Sequence, residues 1–455
     1  MVDGYLNTNK TIEIQRGVWG RITLKVKNND KKDEKYMINE TAEDIISFIG
    51  KKVTLSEMIN ELANKYKENI EVVRDYVFEF FETLEDSFGI KVYSTPDYIS
   101  SEKIQTFEEG NIYPRGVMIE ITSNCNYKCL HCYGGFEACH SVMSYDSFTK
   151  LIDQLESLGV TSVELTGGEI TTHPKLLEMI KYVLKSGISK ISLLTNGSLL
   201  SDEVLKLIEK NTDRIIVQID LHGLTDEYLE WFMGIPYSVE KNKNIIKRVA
   251  NLTDLFRVAT VVTRGNLNQI EAIADWLHEN GIKQYGLSLV IPEGRALECN
   301  ESDLFLNNDE IYEFNNILNR INDKYPSFIT IIDSYQDRAN CGCLSNCFSI
   351  TSDGRIKMCA MDSGDTLAIP LGNALNENIK EIYDKYQGFI EEISHIQAPS
   401  TEDEDCKSCE NFSYCSKCLF RAFSVNSRSN ALCGWAEKLP EQVRMFIKTK
   451  RGNNK

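Results

Sequence analysis

Residues 121–133 read Ile121-Thr122-Ser123-Asn124-Cys125-Asn126-Tyr127-Lys128-Cys129-Leu130-His131-Cys132-Tyr133, with three cysteines in the order C-x-x-x-C-x-x-C. An apolar run, Val117, Met118, Ile119 and Ile121, comes just before them. Iron-sulfur clusters are normally held by four thiolates, so three thiols at the end of a strand-like run suit a cubane with one iron left for another ligand. A coordination position left open marks a catalytic metal site rather than a structural one. Two other readings use the same residues. One is a zinc site completed by His131 or Cys139; the other is a set of buried thiols, which are common in cores.

Outward from this stretch the pattern repeats. Val163-Glu164-Leu165 runs into Thr166-Gly167-Gly168-Glu169, and a second apolar run ends in Leu193-Leu194-Thr195-Asn196-Gly197. From Gly116 onward strand-like runs near 117–122, 161–166, 189–195, 214–219, 255–262 and 285–290 alternate with helical patterns near 148–158, 176–184, 204–208, 239–249 and 270–277. Such alternation argues for a parallel α/β sheet. Six units are too few for an eight-stranded barrel, and in parallel barrels the chemistry sits at the carboxyl ends of the strands. The candidates fall at such ends: Cys125, Cys129 and Cys132 after the first strand, Gly167, Gly168 and Glu169 after the second, Asn196 after the third, Gln218 and Asp220 on the fourth. Arg257 and Thr260 lie on the fifth, and Ile291 opens the loop after the sixth.

The triplet with an aromatic, Tyr133, directly after it resembles the motif of the radical S-adenosylmethionine (radical SAM) enzymes. That resemblance implies an open (β/α)6 partial barrel over residues 116–305 and a [4Fe-4S] cluster on Cys125, Cys129 and Cys132. It also implies SAM on the free iron, near Tyr133, with the Gly167-Gly168-Glu169 backbone at its amino group and Asn196 near its ribose. Ile291 would lie near adenine, and Gln218, Asp220 and Arg257 would contact SAM from the inner face. SAM would chelate the iron through its amino and carboxylate groups, and one electron would release a 5'-deoxyadenosyl radical. No acid-base dyad is then needed, which fits a chain with only six histidines. Relatives carry Arg before a Gly in the fourth crossover; here Met233 precedes Gly234, and Arg257 is the substitute partner for the SAM carboxylate.

Composition bounds the rest. A chain of 455 residues, 42% hydrophobic and 26% charged, is an ordinary globular composition with room for about three domains of roughly 150 residues. No window approaches the ~20 unbroken apolar residues of a membrane span. The start, Met1-Val2-Asp3-Gly4, lacks the basic and apolar regions of a signal peptide, so the expected location is cytoplasmic. Fourteen cysteines in a reducing compartment are better read as metal ligands than as disulfides. A net charge of −17 works against nucleic acid or an anionic membrane as partner, since both need a surplus of Lys and Arg.

Residues 1–95 open with alternating segments at 11–14, 21–26 and 35–38 that read as half-buried strands. Helices follow: one capped by Thr41 and stopping near Gly50, one begun near Ser56, and one over 70–88 with Val73, Val77, Phe80, Phe81 and Leu84 on one face. A last strand at 90–93 completes a winged-helix-like module. Glu79, Glu82, Glu85 and Asp86 stand where a DNA-recognition helix would offer Arg or Lys. The element order resembles instead the precursor-recognition domain of ribosomal peptide maturases, in which a leader peptide adds a strand to the open sheet edge. A docking subdomain that binds nothing is the plainer reading. Residues 96–115 read as a linker.

In 306–440 the cysteines return as Cys341, Cys343 and Cys347, then Cys359, then Cys406-x-x-Cys409, Cys415-x-x-Cys418 and Cys433. Paired C-x-x-C spacing alone favours a zinc ribbon. Downstream of a radical SAM core the order resembles the SPASM domain, which implies two auxiliary [4Fe-4S] clusters. Cys341, Cys359 and Cys418, with Cys347 or Cys343 or an open site, would hold the first, and Cys406, Cys409, Cys415 and Cys433 the second. Cys415 and Cys418 stand one residue closer than is usual in the family. Cys139 and Cys299 are left as buried thiols, and 441–455 as a basic tail with a frayed end.

Across nearly the whole chain the resemblance is to the subtilosin-type sactipeptide synthases, carried by Thr166-to-Glu169 with His173-Pro174, by Ala339-Asn340-Cys341-Gly342 and by Cys433-Gly434-Trp435-Ala436. It implies thioether closure between a cysteine sulfur and a carbon within a precursor peptide, with a flavodoxin- or ferredoxin-type electron donor. The alternatives are another SPASM enzyme, either a carbon-carbon cyclase or a formylglycine-forming maturase, and, outside enzymes, a zinc-binding winged-helix DNA regulator.

Overall fold

The structure is a computed structural model that describes residues 4–17, 21–27, 34–96, 104–108, 112–134, 136, 141–299, 303–331, 340–362 and 366–451. The chain divides into two compact units, Met1–Ile112 and Tyr113–Lys455. Side chains of 82–88, Leu84, Glu82, Glu85 and Asp86 among them, lie outside the described residues, as do Cys139, Ala339 and 452–455.

The first unit runs β1 (Tyr5–Thr8), β2 (Thr11–Gly17), β3 (Arg21–Lys27), β4 (Glu34–Ile38), α1 (Glu40–Ser47), α2 (Leu55–Tyr66), α3 (Ile70–Phe88), β5 (Ile90–Tyr93) and β6 (Ile104–Glu108). Ile12, Ile14, Leu24 and Val26 alternate onto one sheet face and meet Ile45, Ile46, Ile49, Met58, Leu62, Val73, Val77 and Phe81 in one core. One helix start differs from expectation. Asn39, not Thr41, caps α1 by accepting from the Ala42 amide; Ser56 enters α2 as expected, one residue into a helix that Thr54 caps in a capping box with Glu57. A short polar side chain just before the first turn satisfies its free amides, and several nearby residues could have done so.

The linker expected over 96–115 contains a strand. β6 pairs in parallel with β2, giving the order β4-β3-β2-β6, while β1 and β5 form a separate antiparallel pair. The edges of the four-stranded sheet are therefore β4 and β6.

The second unit begins with β7 (Gly116–Thr122), α4 (Tyr145–Ser157), β8 (Ser162–Gly167), α5 (Leu176–Lys185), β9 (Lys190–Thr195), α6 (Asp202–Glu209) and β10 (Ile215–Asp220). It continues with α7 (Asp226–Met233), α8 (Val239–Ala250), β11 (Phe256–Val262), α9 (Ile270–Glu279), β12 (Gln284–Leu289), α10 (Arg295–Glu298) and α11 (Asn308–Lys324). β7 to β12 are parallel and adjacent in chain order, the expected six-stranded arc. Val163, Leu165, Ile191, Leu193, Val217, Ile219 and Val258 are buried. Their alternate neighbours Glu164, Gln218, Asp220 and Arg257 share the other face of the strands.

Later residues extend both edges of the arc. β13 (Ile329–Ile331) pairs in parallel with β12, while β14 (Cys347–Ile350) pairs in parallel with β7 and carries β15 (Ile356–Lys357) antiparallel outside it. Residues 308–331, expected in the cysteine-rich domain, thus belong to the barrel sheet. Arg320–Glu271 and Lys324–Asp275 ion pairs and stacking of Tyr325 on His278 at 3.9 Å fasten α11 to α9. The rest is helical: α12 (Ile379–Lys385), α13 (Gln387–His395), α14 (Phe412–Cys415), α15 (Leu419–Ser427), α16 (Gly434–Glu437) and α17 (Glu441–Phe446). Beyond α17 the expected tail is anchored: Ile447 is fully buried, and the Lys450 amide donates to Ser429 O at 2.8 Å. Among the described residues no helix is long and apolar enough to cross a membrane.

One buried ion pair joins β7 to β15. Lys357 Nζ lies 2.6 Å from Glu120 Oε1, with the two side chains 6% and 5% exposed, and also donates to Ala360 O at 3.2 Å. Removing one partner of such a pair strands a buried charge. Lys357→Met is expected to destabilise the second unit by about 3–5 kcal/mol, and the Glu120→Met/Lys357→Met double variant to recover most of that loss. Denaturant midpoints compare the three proteins.

Candidate functional site

The three-cysteine loop leaves β7 at Thr122 and is gripped by the ends of three other strands. Thr122 O accepts from the Gly168 amide and Asn124 O from the Glu169 amide, both at 2.8 Å. The Lys128 and Leu130 amides donate to Met233 O and Phe232 O at 2.9 Å, at the end of α7. From beyond β12, the Arg295 amide donates to Cys132 O at 2.9 Å and its Nη1 to Cys129 O at 2.5 Å.

Glycines make these approaches possible. A Cβ on Gly168 would lie 2.1 Å from Asn124 O, and one on Gly294 2.2 Å from Tyr133 O. Gly294, at φ +57°, and Gly167, at φ +129°, also hold backbone that side chains disfavour. The glycine pair after β8 is therefore more than a tight turn, because it admits the backbone of the cysteine loop.

Burial pushes the Cys125 thiol up to about 11 and the Cys129 thiol well above its usual value, and each also feels the charge of neighbouring cysteines. Arg295 acts against both shifts. Thiols that resist ionisation, as Cys125 and Cys129 do, call for a cationic partner to hold them as thiolates. A cluster with one thiolate per iron fits this donor set. His131, the fourth zinc ligand considered, is instead stacked on Phe232 at 4.6 Å, with burial pushing its pKa down to about 4.

The other expected residues are arranged around this loop. The Glu169 carboxylate ties strand ends together: Oε1 accepts from Thr195 Oγ1 at 2.5 Å and from Thr171, and Oε2 from the Asn196 amide at 2.7 Å. Asn196 Nδ2 donates to Asn126 Oδ1 inside the cysteine loop at 2.9 Å. Tyr133 is hydrogen-bonded to Thr166, and its phenol is pushed up by burial. Arg257 Nε donates to Gln218 Oε1 at 3.0 Å. Asp220, about a third exposed, has its pKa raised to about 7, chiefly by burial. Ile291 is buried. Met233, the residue before Gly234, sets its sulfur 3.8 Å from Cys129 Sγ, filling with a thioether the place of the expected cation.

Two residues were not singled out from sequence: Glu120 and Lys357, which form the pair described above. Nothing in the spacing marks them, because each acts through a partner far along the chain. Arg295, in the stretch Ile291-Pro292-Glu293-Gly294-Arg295 expected near adenine, instead holds the backbone of the cysteine loop.

The later cysteines fall into two groups. Cys341, Cys343, Cys347, Cys359 and Cys418 influence one another: thiols of Cys343 and Cys347 hydrogen-bond to Cys341 and lower its pKa, while burial pushes Cys359 up to about 12. Cys406, Cys409, Cys415 and Cys433 form the other group, where burial raises Cys415 to about 12. The first group gathers one thiol more than a cubane takes, so Cys343 and Cys347 both remain candidates. Cys299 is half-buried against the apolar cluster of Tyr127, Leu229 and Phe232.

Residues 119–277 match the Radical SAM superfamily. The antilisterial bacteriocin subtilosin biosynthesis protein AlbA of Bacillus subtilis is 27% identical over 419 residues, 90% of each chain. An AdoMet-dependent heme synthase of Methanosarcina barkeri is 25% identical over 69% of this chain and 93% of its own. Among solved structures, Streptococcus suis SuiB bound to precursor peptide SuiA has the same fold with a TM-score of 0.57 at 15% identity, over 93% of this chain and 97% of that one.

Gly168→Ala is expected to force Asn124 and Cys125 outward. Anaerobically reconstituted protein should then show the cubane EPR signal of this loop weakened by about tenfold or more. Gly281→Ala, where a Cβ meets nothing within 4 Å but a φ of +79° strains any side chain, should lower stability and leave that signal intact.

Proposed function

We propose, from the premise that residues 119–277 carry a radical SAM domain, that this chain closes thioether bonds between a cysteine sulfur and a carbon of another residue in a ribosomally made precursor peptide. The observation that carries the reading is the match, over nine-tenths of both chains, to a subtilosin biosynthesis protein. Two further cysteine groups in the same unit support it.

Cys125, Cys129 and Cys132 would hold the SAM-binding [4Fe-4S] cluster. The backbone of Gly167 to Glu169, with Tyr133, Asn196, Gln218, Asp220, Arg257 and Ile291, would line the place of SAM. Cys341, Cys359 and Cys418 with Cys347 or Cys343, and Cys406, Cys409, Cys415 and Cys433, would hold two auxiliary clusters. When bound, these groups supply an adenosyl radical that takes a hydrogen atom from carbon and an acceptor for the electron left as the C–S bond closes. The chain supplies placement. Glu169 and Arg295 orient the cysteine loop, Glu164, Gln218 and Arg257 give the barrel a polar inner face, and Asp220 can hold a proton on its carboxyl oxygen near neutral pH.

The first unit is the proposed leader-binding domain. Its four-stranded sheet ends in β4 and β6, and in this reading the extended leader adds a strand at such an edge. The electron donor in this reading is a flavodoxin or ferredoxin, and the charge of −17 disfavours nucleic acid and anionic membrane. The location proposed is cytoplasmic.

The test is a cysteine-containing peptide encoded beside this chain, incubated with SAM and reductant and read by tandem mass spectrometry. The expected product has lost two hydrogens and one alkylatable thiol. Loss of two hydrogens with the thiol retained would indicate a carbon-carbon cyclase, and a changed cysteine or serine residue a formylglycine-forming enzyme. Removing residues 1–112 is expected to weaken leader binding by about tenfold or more, at least ~1.4 kcal/mol, while SAM cleavage persists. Unchanged leader affinity would contradict the docking role.

A further inference from the structure

The loop after β12 carries no cysteine, yet three consecutive residues in it connect two cysteine-bearing regions. On one side, Gly294 and Arg295 hold the first cysteine loop through the close approach to Tyr133 O and the hydrogen bonds to Cys132 O and Cys129 O. On the other, Glu293 Oε1 accepts from Tyr414 Oη at 2.6 Å, Ser424 Oγ at 2.5 Å and Arg428 Nη2 at 2.8 Å. Arg428 Nη1 adds a bond to Pro292 O at 2.9 Å, so one guanidinium grips both the side chain and the backbone of the loop.

The donors come from segments next to the second cysteine group, two of them from the helix that starts at Cys418 and leads towards Cys433. Tyr414 precedes Cys415, and Ser424 lies on α15, which Arg428 caps. On the same helix Asn426 accepts from the Cys433 amide at 2.9 Å and donates to Cys433 Sγ at 3.4 Å. Glu293 is only 6% exposed. Packing alone does not call for a carboxylate there, because apolar residues of the same shape often serve stability as well as a buried ion pair. What three donors converging on one oxygen add is a fixed distance and direction.

We propose that Glu293 is a positioning residue that sets the three-cysteine loop at a fixed separation from the group formed by Cys406, Cys409, Cys415 and Cys433. The inference rests on the reading of both sets as cluster ligands. It extends that reading by naming what holds the two centres in register, so that the electron left on the peptide as the C–S bond closes, next to the first centre, would find the second at a fixed distance.

The experiment uses reduced holoenzyme of the wild type, Glu293→Gln and Glu293→Ala, each with its iron content measured. Pulsed EPR reads the dipolar coupling between the two centres, and a parallel assay gives cross-linked peptide per SAM cleaved. At equal iron content the coupling distribution should shift and broaden in Glu293→Ala, and product per SAM cleaved should fall about tenfold, a change of ~1.4 kcal/mol. Glu293→Gln, which keeps one acceptor oxygen, should lie between. A lower melting temperature with wild-type coupling and wild-type product ratio would overturn the proposal and leave Glu293 a stability residue. Should Glu293→Ala fail to take up iron, Glu293→Gln decides: a shifted coupling supports the proposal, and wild-type values in both assays overturn it. A wild-type enzyme with both cluster signals and no cross-linked product would refute the proposed reaction instead, leaving the coupling measurement valid.

Discussion

Three thiols held together in a half-buried loop at the mouth of a parallel sheet are a costly arrangement, and most of the site's structure follows from making it possible. Burial, and after it the charge of neighbouring thiols, pushes Cys125 and Cys129 up. A strand would send side chains spaced by four and then three residues to different faces, and a helix would align them on one face but spread them over about 10 Å, so the chain must loop. The loop's carbonyls and amides must then be paired elsewhere. Gly168 and Glu169 pair them from the second strand, the end of α7 from the fourth crossover, and Arg295 from beyond the sixth. The barrel is thus a frame whose strand ends converge on one irregular segment.

That view explains why some residues look catalytic in sequence and serve as supports in space. The Glu169 carboxylate is taken up by Thr171, Thr195 and the Asn196 amide, so it braces the third strand against the second. Asn196 in turn reaches Asn126 within the cysteine loop. Such hydrogen-bonded supports hold functional groups within the small tolerance that chemistry at a bound cofactor demands.

Much of the barrel was legible because its signals are local. Apolar runs such as Val163 to Leu165 and Ile191 to Thr195 declare strands by themselves, and cysteine spacing is a property of the chain alone. What escaped is defined by pairing. β6 has no pattern to separate it from a linker until β2 lies beside it, and β14 and β15 are too short to stand out. Residues 308–331 extend the barrel because β13 pairs with β12 and α11 buries Phe314, Ile317, Leu318 and Ile321, contacts that no local pattern announces. Glu120 and Lys357 were invisible for the same reason. The cap position missed at Asn39 shows a smaller limit, since Asn, Ser and Thr within two residues of a helix start are chemically equivalent candidates.

The central claim is that Cys125, Cys129 and Cys132 hold a cluster distinct from those of the later cysteines, and that this cluster alone cleaves SAM. Iron content and SAM cleavage of Cys125→Ala/Cys129→Ala/Cys132→Ala, reconstituted anaerobically beside the wild type, test it most directly. The account predicts iron lower by one cubane per chain, with the remaining clusters intact and no 5'-deoxyadenosine formed. Retained 5'-deoxyadenosine formation in the triple variant would contradict it.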